Sequence, residues 1–205
     1  MSPCQGECSG SDSRLPLSMK RLLLFAVLII ALGGLFFYYY QHNPYFQQNP
    51  VSTDNKISNM IIQSTAFQNS QAIPEKYTCD GQNINFPLSI NNIPYGTKSL
   101  VLIMDDPDSP TKNFTHWVMF NIQPFTKEIG ENFKSDNVTL GKNDFGNIEY
   151  GGPCPQVGTH NYSIKLYAIN SVLLLQRGAS KAEVLENIKG QILETAQLIG
   201  SYKKK

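Results

Sequence analysis

The chain has 205 residues, a formal net charge of +1 and 41% hydrophobic residues, which suits one globular domain with an appended segment. A charge so close to zero argues against the concentrated basic surface that nucleic-acid binding requires. The four cysteines include Cys4 and Cys8, which lack the further histidines or cysteines of a zinc site. We therefore expect no nucleic-acid partner, no metal and no cofactor.

The first predicted element is an apolar segment, Leu22–Tyr40, of 19 residues without a charge. A helix of this length spans about 30 Å, which is the thickness of the bilayer hydrocarbon. Arg14, Lys20 and Arg21 precede the segment, and the next lysine or arginine is Lys56. The positive-inside rule then places the N-terminus in the cytoplasm and the residues after the segment on the other side of the membrane.

This segment divides the chain into four predicted parts. They are a cytoplasmic extension over residues 1–21, a transmembrane signal anchor over 22–40, a linker over 41–58 and a periplasmic or extracellular globular domain over 59–205. The alternative is a signal peptide cleaved near Gly33, which would leave a secreted domain. Cleavage there would leave LFFYYY at the new N-terminus, so we favour the uncleaved anchor.

Five short strands are predicted in the globular domain, separated by turn-forming residues. They are Asn59–Ala66, Ile84–Ile90, Ser99–Met104, Phe114–Ile122 and Asn161–Asn170. The third is nearly all apolar, as is typical of a buried central strand. The fifth alternates, so that its apolar residues from Tyr162 to Ala168 share one face. Residues 123–150 show no periodicity and predict a long loop region with room for one short strand.

A C-terminal helix is predicted from Ser180 to Gly200. Ser180 and Glu183 have the spacing of a capping box, in which each side chain satisfies a backbone N–H of the first turn. Apolar residues then recur at helical spacing, at Leu185, Ile188, Ile192, Ala196 and Ile199. Gly200 suits the helix C-cap. We expect this helix to cover one face of the sheet.

Two loops carry the candidate binding residues. The first, DPDSP, places Asp106 and Asp108 two residues apart, so that in an extended chain both carboxylates would face one cavity. His116 begins the next strand, with Val118 and Phe120 expected on its face. A second loop, GGPCPQVGTHNY, ends in a histidine and a tyrosine that are also two residues apart, His160 and Tyr162. If the strands that follow these loops are neighbours, the groups converge.

Such a cluster fits the binding of a small anion. Histidines that are oriented by carboxylates donate N–H groups to phosphate or carboxylate, and the backbone of Gly151, Gly152 and Pro153 lets a ligand approach closely. The carboxylates would accept from an ammonium group, so a zwitterionic head group also fits. Each residue has a simpler alternative: the aspartates shape a turn, the histidines are core or loop residues, and the tyrosine is core.

These motifs resemble the phosphatidylethanolamine-binding protein family, and most closely its bacterial branch of Raf kinase inhibitor-like proteins of the YbhB/YbcL type. The resemblance rests on DPDSP followed by His116-Trp117, and on GGPCP followed by GTHNYxIxLYA. It continues in order through IP…YTCDG, GTKSL, GKNDFG and GASKA, and it covers residues from about Asn59 to Tyr202. One departure is Gln156, which stands where the bacterial pattern has a second proline.

The resemblance implies a mainly β fold, with a large central sheet, a smaller second sheet and peripheral helices, and a ligand pocket at one end of the sheet. Carried over by motif, the ligand-binding residues are Asp106, Asp108, His116, Gly152, Pro153, His160 and Tyr162. Cys79 and Cys154 lie in loops that the family places near this pocket. Whether they form a disulfide depends on the compartment and is left open by the sequence.

Our leading hypothesis is a membrane-tethered binding domain, and not an enzyme, for a phosphate-type or phosphoethanolamine-like ligand. It would use His116, His160 and backbone N–H groups, with Asp106 orienting an imidazole. One alternative is a hydrolase or metal enzyme that uses the same histidines and aspartates, although the chain lacks the usual zinc and nucleophile-elbow motifs. Another is a protein-interaction module, such as a kinase inhibitor-like regulator, for which the sequence names no protein partner.

Overall fold

The computed structural model describes residues 17–43, 59–111, 113–134 and 136–204, and the chain forms two compact units that divide after Asp54. The first 16 residues, with Cys4 and Cys8, lie outside the described residues, as does most of the predicted linker. The first unit contains helix α1, Leu17–His42. Within it, Leu24–His42 is long and apolar enough to cross a membrane. A signal sequence near the N-terminus passes the same test, so the helix alone does not decide between anchor and signal peptide.

The second unit is mainly β-structure. In the described residues its strands are β1 Ile61–Gln63, β2 Gln71–Ala72, β3 Leu88–Asn91, β4 Ser99–Asp106, β5 Phe114–Ile122, β6 Glu128–Ile129, β7 Thr139–Leu140, β8 Thr159–Ile169 and β9 Ile192–Lys203. A short 3₁₀ turn covers Glu75–Tyr77, and helix α2 covers Lys181–Ile188. The predicted mainly β fold is confirmed, and the unassigned stretch 123–150 holds two very short strands, β6 and β7.

Two sheets form the scaffold. The larger has the strand order β2-β9-β8-β4-β5-β7 and the smaller has the order β1-β3-β6. The pairs are antiparallel except for β2 with β9, which is parallel. β4 therefore lies between β5 and β8, so the two strands that carry the predicted histidines are not neighbours but flank β4. Their side chains have to meet across the end of that central strand.

Both faces of the large sheet are covered by apolar side chains. Alternate residues of β4, such as Leu102 and Met104, pack in a core that includes the small sheet's Leu88. The intervening residues, such as Ile103, pack in a second core with Val184 of α2. Burial on both faces explains why β4 is a nearly continuous apolar run, as the sequence predicted.

The predicted helix from Ser180 to Gly200 is wrong in its second half. The capping box at its start is present: the Ser180 hydroxyl accepts from the Glu183 N–H, and the Glu183 carboxylate accepts from the Ser180 N–H. The helix ends at Ile188, however, and Gly190 has a left-handed φ of 72°. The chain then turns back as β9.

β9 pairs with β8 along nearly its whole length. Ile192 of β9 lies opposite Ile169 of β8 at one end, and Lys203 lies opposite Thr159 at the other. This pairing overrides the helical spacing of the apolar residues. Gly200 is not a helix cap but lies within the strand, and a Cβ there would be 2.5 Å from Ile73 Cγ1. It is a glycine because the N-terminal part of the domain packs directly on its backbone.

Candidate functional site

Asp106 is the last residue of β4 and is 4% exposed. One carboxylate oxygen, Oδ1, accepts the backbone N–H of Asp108 at 2.9 Å, which fixes the turn after the strand. The other, Oδ2, lies 2.7 Å from Nδ1 of His160, the second residue of β8. The predicted orienting role of Asp106 on an imidazole therefore has a direct structural basis.

Asp108 does not share the buried position of Asp106. It is exposed, and its Oδ2 accepts both the backbone N–H of Asn161 at 2.8 Å and the side-chain amide of the same residue at 2.9 Å. These hydrogen bonds lower the pKa of the Asp108 carboxyl. The two carboxylates therefore differ in burial and in partners, because that of Asp106 is buried against His160 and that of Asp108 is exposed and bonded to Asn161. The charge of Asp108 still acts on His160 and Tyr162.

His116 is the third residue of β5 and is 2% exposed. Its Nδ1 lies 2.8 Å from the carbonyl oxygen of Gly151, and since a carbonyl only accepts, Nδ1 must carry the hydrogen. Burial lowers the pKa of the His116 imidazole, although the Gly151 carbonyl and the negative charge of Asp106 act in the opposite direction. His116 is therefore a neutral imidazole at neutral pH.

A β-bulge sets the direction of His116. The register of β4 with β5 pairs Met104 with Trp117 and then Asp105 with Thr115, so His116 is the extra residue. The expectation that His116 shares a face with Val118 and Phe120 is wrong, because those two residues pack on the α2 side of the sheet. The bulge instead places the His116 ring against Tyr162, whose side chain belongs to the core between the sheets.

Tyr162 is the point at which the flanking strands meet. Its ring lies edge-on to His116, with 5.1 Å between the ring centroids, and it is 0% exposed. Burial raises the pKa of the Tyr162 phenol, so the hydroxyl keeps its proton. The Asp106 carboxylate and the backbone of Cys154 lie close enough to the hydroxyl to act on that pKa, but neither contact has the distance and angle of a hydrogen bond. Within the described residues the Tyr162 hydroxyl therefore has no hydrogen-bond partner.

The side chains of Asp106, His116, His160 and Tyr162 form what we call the histidine site. All four are buried, although they come from three strands. Among the described residues, no group of three or more histidine, cysteine, aspartate or glutamate side chains is arranged to hold a metal ion. The chemistry that the site offers is hydrogen bonding to a small ligand through imidazole and phenol groups.

The predicted glycine loop forms one wall of the site. The N–H of Gly151 donates to the carbonyl of His116 at 2.9 Å, and the N–H of Gly152 donates to Oδ1 of Asn83 at 2.7 Å. The expectation that these two N–H groups are free for a ligand is therefore wrong. A Cβ at Gly152 would lie 2.5 Å from the carbonyl oxygen of Tyr77, so close backbone packing requires glycine here.

A disulfide closes the outer side of the same loop. Cys79 and Cys154 are bonded in the structure, with their Cα atoms 5.4 Å apart, and they close a sequence separation of 75 residues. The Cys79 N–H also donates to the carbonyl of Pro153 at 3.1 Å. This is where the structure places Pro153: it is buried, and its carbonyl ties the glycine loop to the segment around Cys79. Both contacts limit how far the loop can move away from His116.

Sequence reasoning gave no role to a second supporting loop, at residues 143–147. Phe145 lies edge-on to the His116 ring at a centroid distance of 5.3 Å, and the Asp144 carboxylate accepts the Thr115 N–H at 2.7 Å. The Asn143 amide holds the loop together by donating to the carbonyl of Glu149 at 2.9 Å. The GKNDFG motif that contributed to the family resemblance was the available signal for these residues.

A cleft of about 280 Å³ lies elsewhere on the domain. It is lined by side chains that include Trp117, Tyr150 and Arg177, and none of the seven predicted binding residues lines it. The hydroxyl of Tyr150 donates to the carbonyl of Tyr77, and the side-chain amide of Asn85 donates to two backbone carbonyls. The cleft therefore lacks the buried unpartnered donor that distinguishes the histidine site.

The family profile and the curated relatives that match this chain indicate the same protein family. The sequence profile described as phosphatidylethanolamine-binding protein matches residues 63–203. A UPF0098 protein of Methanothermobacter thermautotrophicus is 47% identical over 150 residues, which cover 71% of this chain and 99% of that protein. A UPF0098 protein of Chlamydia trachomatis is 38% identical, with 71% of this chain and 99% of that protein covered.

Solved structures agree with these sequence matches. The crystal structure of a phosphatidylethanolamine-binding protein homologue from Chlamydia trachomatis superimposes with a TM-score of 0.70 at 37% identity, and covers 72% of this chain and 99% of that one. E. coli YbcL, described as a member of the mammalian family, gives a TM-score of 0.67 at 24% identity, with 71% and 99% covered. The second match is similar in fold alone.

Proposed function

The chain belongs to the phosphatidylethanolamine-binding protein family, and we propose that its histidine site binds a phosphate-type anion or a zwitterionic head group such as phosphoethanolamine. The Tyr162 hydroxyl carries this proposal, because it is a buried donor without a partner in the described residues. A buried polar group without a hydrogen bond costs free energy, so such groups usually have a ligand or water to complete them. A phosphoryl oxygen would accept this O–H.

The two imidazoles support the same proposal. His116 and His160 are held in place through their Nδ1 atoms, by Gly151 and Asp106, and we propose that Nε2 of each ring is the atom that contacts a ligand. Anchoring through one nitrogen fixes the orientation of a ring before a ligand arrives, which reduces the entropy lost on binding. The site is therefore built for a compact ligand with several oxygen atoms.

Asp108 extends the proposal to zwitterions. Its carboxylate is exposed and its lowered pKa keeps it ionised at neutral pH. Both hydrogen bonds from Asn161 use its Oδ2. The charge of Asp108 acts on both His160 and Tyr162, and we propose that its Oδ1 accepts from the ammonium group of a phosphoethanolamine-like ligand.

Histidine NMR of the full chain in detergent micelles tests the anion site. The chain has three histidines, so a histidine-labelled sample gives three ring signals and His42 of helix α1 serves as an internal control. We expect millimolar phosphoethanolamine to shift the ring signals of His116 and His160 and to leave His42 unchanged. Unchanged signals of His116 and His160 would reject the proposal. Repeating the titration with phosphatidylethanolamine bicelles separates a lipid head group from a free ester.

We also propose that α1 is an uncleaved signal anchor that holds the domain at the outer surface of a membrane. The support is its length and apolar composition, together with the basic residues before it and their absence after it until Lys56. In cells that express the full chain, the protein should stay in the membrane pellet after carbonate extraction. Protease added to spheroplasts should digest the domain. A soluble product that has lost the apolar segment would instead show a cleaved signal peptide.

A further inference from the structure

We propose that the histidine site binds a phosphate monoester together with one proton, which is held by the ligand or by an imidazole. Near pH 8 one proton is therefore taken up on binding, and the affinity rises as the pH falls. This inference rests on the anion-binding function proposed above. It restricts the ligand to compounds that carry an acidic proton themselves or are bound with uptake of a proton from solution. It follows from counting which atoms of the site can donate and which can only accept.

The first accepting atom is Nε2 of His116. Its Nδ1 lies 2.8 Å from the carbonyl oxygen of Gly151, and this carbonyl has no proton to give. The hydrogen of the neutral ring is therefore on Nδ1, and Nε2 carries a lone pair. A bare phosphate oxygen facing Nε2 would place two acceptors against each other. A hydrogen bond there requires a proton on the ring or on the ligand.

The second accepting atom is Nε2 of His160. The Asp106 carboxylate uses Oδ1 to accept the Asp108 N–H and faces Nδ1 of His160 with Oδ2. When this ring carries a single hydrogen, the hydrogen lies on Nδ1, facing the accepting carboxylate, and Nε2 carries a lone pair. The Tyr162 hydroxyl keeps its proton at every physiological pH, because burial raises its pKa.

The charges around the imidazoles also oppose an unprotonated dianion. From β4 and the turn after it, Asp105 and Asp106 act on His116, and Asp108 acts on His160. Asp105 is paired with Lys181 of α2. In the described residues no lysine or arginine forms a hydrogen bond or ion pair with either imidazole.

The remaining elements packed on the imidazoles add no positive charge. From β8 comes the neutral phenol of Tyr162, and from the loops come the Phe145 ring and the backbone of Gly151. From β9, Tyr202 is the register partner of His160, and its hydroxyl donates to Asp80 at 2.7 Å. With neutral imidazoles the surroundings are therefore negative, and each added proton both supplies a donor and reduces repulsion with the ligand.

Calorimetry of the full chain in detergent micelles tests this inference, with methyl phosphate as the probe. Titrations in two buffers of different ionisation enthalpy give the number of protons taken up at each pH. We expect about one proton near pH 8, and an affinity that rises about tenfold per pH unit as the pH falls from there to about 7. An affinity independent of pH, with no proton uptake, would overturn the inference while leaving the anion site intact. No heat of binding at any pH would reject the anion site itself.

Two variants locate the groups responsible. In His116→Gln an amide replaces the imidazole, so a donor is available at every pH, and the pH dependence should become weaker. The matched control is His42→Asn, which changes the histidine of α1 and should leave both affinity and proton uptake as in the unchanged chain. If His116→Gln does not fold, as judged by circular dichroism, His160→Gln is used in the same way. A pH dependence equal in all variants and in the unchanged chain would contradict the assignment to these imidazoles.

Discussion

Nδ1 of His160 lies 2.7 Å from Oδ2 of Asp106, although 54 residues separate the two in the chain. The contact joins the end of β4 to the start of β8, and both side chains are buried. We expect Asp106→Ala to lower the free energy of unfolding by about 2–4 kcal/mol, because the buried imidazole and the Asp108 N–H both lose their acceptor. Urea denaturation at neutral pH measures this change.

Asp108→Ala is the matched control for that substitution. It removes a carboxylate two residues away that also accepts hydrogen bonds, but from exposed groups of Asn161. Exposed hydrogen bonds are replaced by water at little cost, so we expect a loss of about 0.5–1 kcal/mol. Equal losses of stability in both variants would show that burial of the Asp106–His160 contact does not increase its contribution to the free energy of unfolding.

Tyr162→Phe should separate stability from ligand binding. The substitution removes a buried hydroxyl that has no hydrogen-bond partner in the described residues and keeps the ring against His116. We expect the stability to stay the same or to rise by up to about 1 kcal/mol. The affinity for methyl phosphate should fall about tenfold, since the ligand loses a donor. Denaturation and calorimetry on the same sample give both values.

The control for this prediction is Tyr202→Phe. The Tyr202 hydroxyl does donate, to Asp80 Oδ2 at 2.7 Å, and Tyr202 is not one of the four residues of the histidine site. We expect this variant to show the opposite pattern, with a loss of about 1 kcal/mol in stability and an unchanged affinity. If both variants lost stability alone, the role of Tyr162 would be structural.

The lowered pKa of His116 makes stability depend on pH. In the unfolded chain the imidazole titrates near its ordinary pKa of about 6.5, but in the folded chain burial holds the pKa below that value. The unfolded state then binds more protons below about pH 6.5. The contribution of the neutral His116 to the free energy of unfolding is therefore complete above that pH and is lost as the pH falls toward the folded pKa. Urea midpoints from about pH 7.5 to pH 5 should decrease accordingly.

His116→Gln should flatten this profile, because the variant has no imidazole to protonate at that position. His42→Asn should retain the full slope, since α1 is a separate unit and His42 does not belong to the domain that unfolds. A slope that is unchanged in His116→Gln would assign the pH dependence to other groups.

Removal of the disulfide should destabilise the domain substantially. The Cys79–Cys154 bond closes a sequence separation of 75 residues, for which the chain-entropy treatment gives about 4 kcal/mol. We expect the double variant Cys79→Ser, Cys154→Ser to lose roughly that much in urea denaturation. The control variant Cys4→Ser, Cys8→Ser changes two cysteines outside the domain and should match the unchanged chain. Mass spectrometry without reductant that finds two free thiols in the domain would contradict the bond itself.

Local patterns predicted the three central strands of the large sheet well. Phe114–Ile122 is a strand with the predicted bounds, and Ser99–Met104 is a strand that continues to Asp106. These elements are buried on both faces or alternate cleanly, so their patterns are unambiguous. The stretch from Ile192 to Gly200 is different, since its apolar residues fit helical spacing and a strand equally, and pairing with β8 decides between them.

The histidine site was predictable in its members but not in its geometry. The sequence, with the family resemblance, grouped Asp106, His116, His160 and Tyr162, and the structure brings these side chains together. It places Asp108 in an exposed position bonded to Asn161, the residue after His160. The backbone contacts of the glycine loop, which occupy two N–H groups, could not be derived from spacing, because they depend on where Asn83 lies in the folded chain.

The sequence by itself determined the residue types of the site, the central strands and the apolar segment before the domain, because these follow from local composition and periodicity. Tertiary structure decided which way His116 points. A period-two pattern assigns His116 to the face of Val118, but one extra residue in β5 opposite β4 turns it toward Tyr162. A bulge is a property of the pairing between two strands, and it leaves no mark in either strand alone.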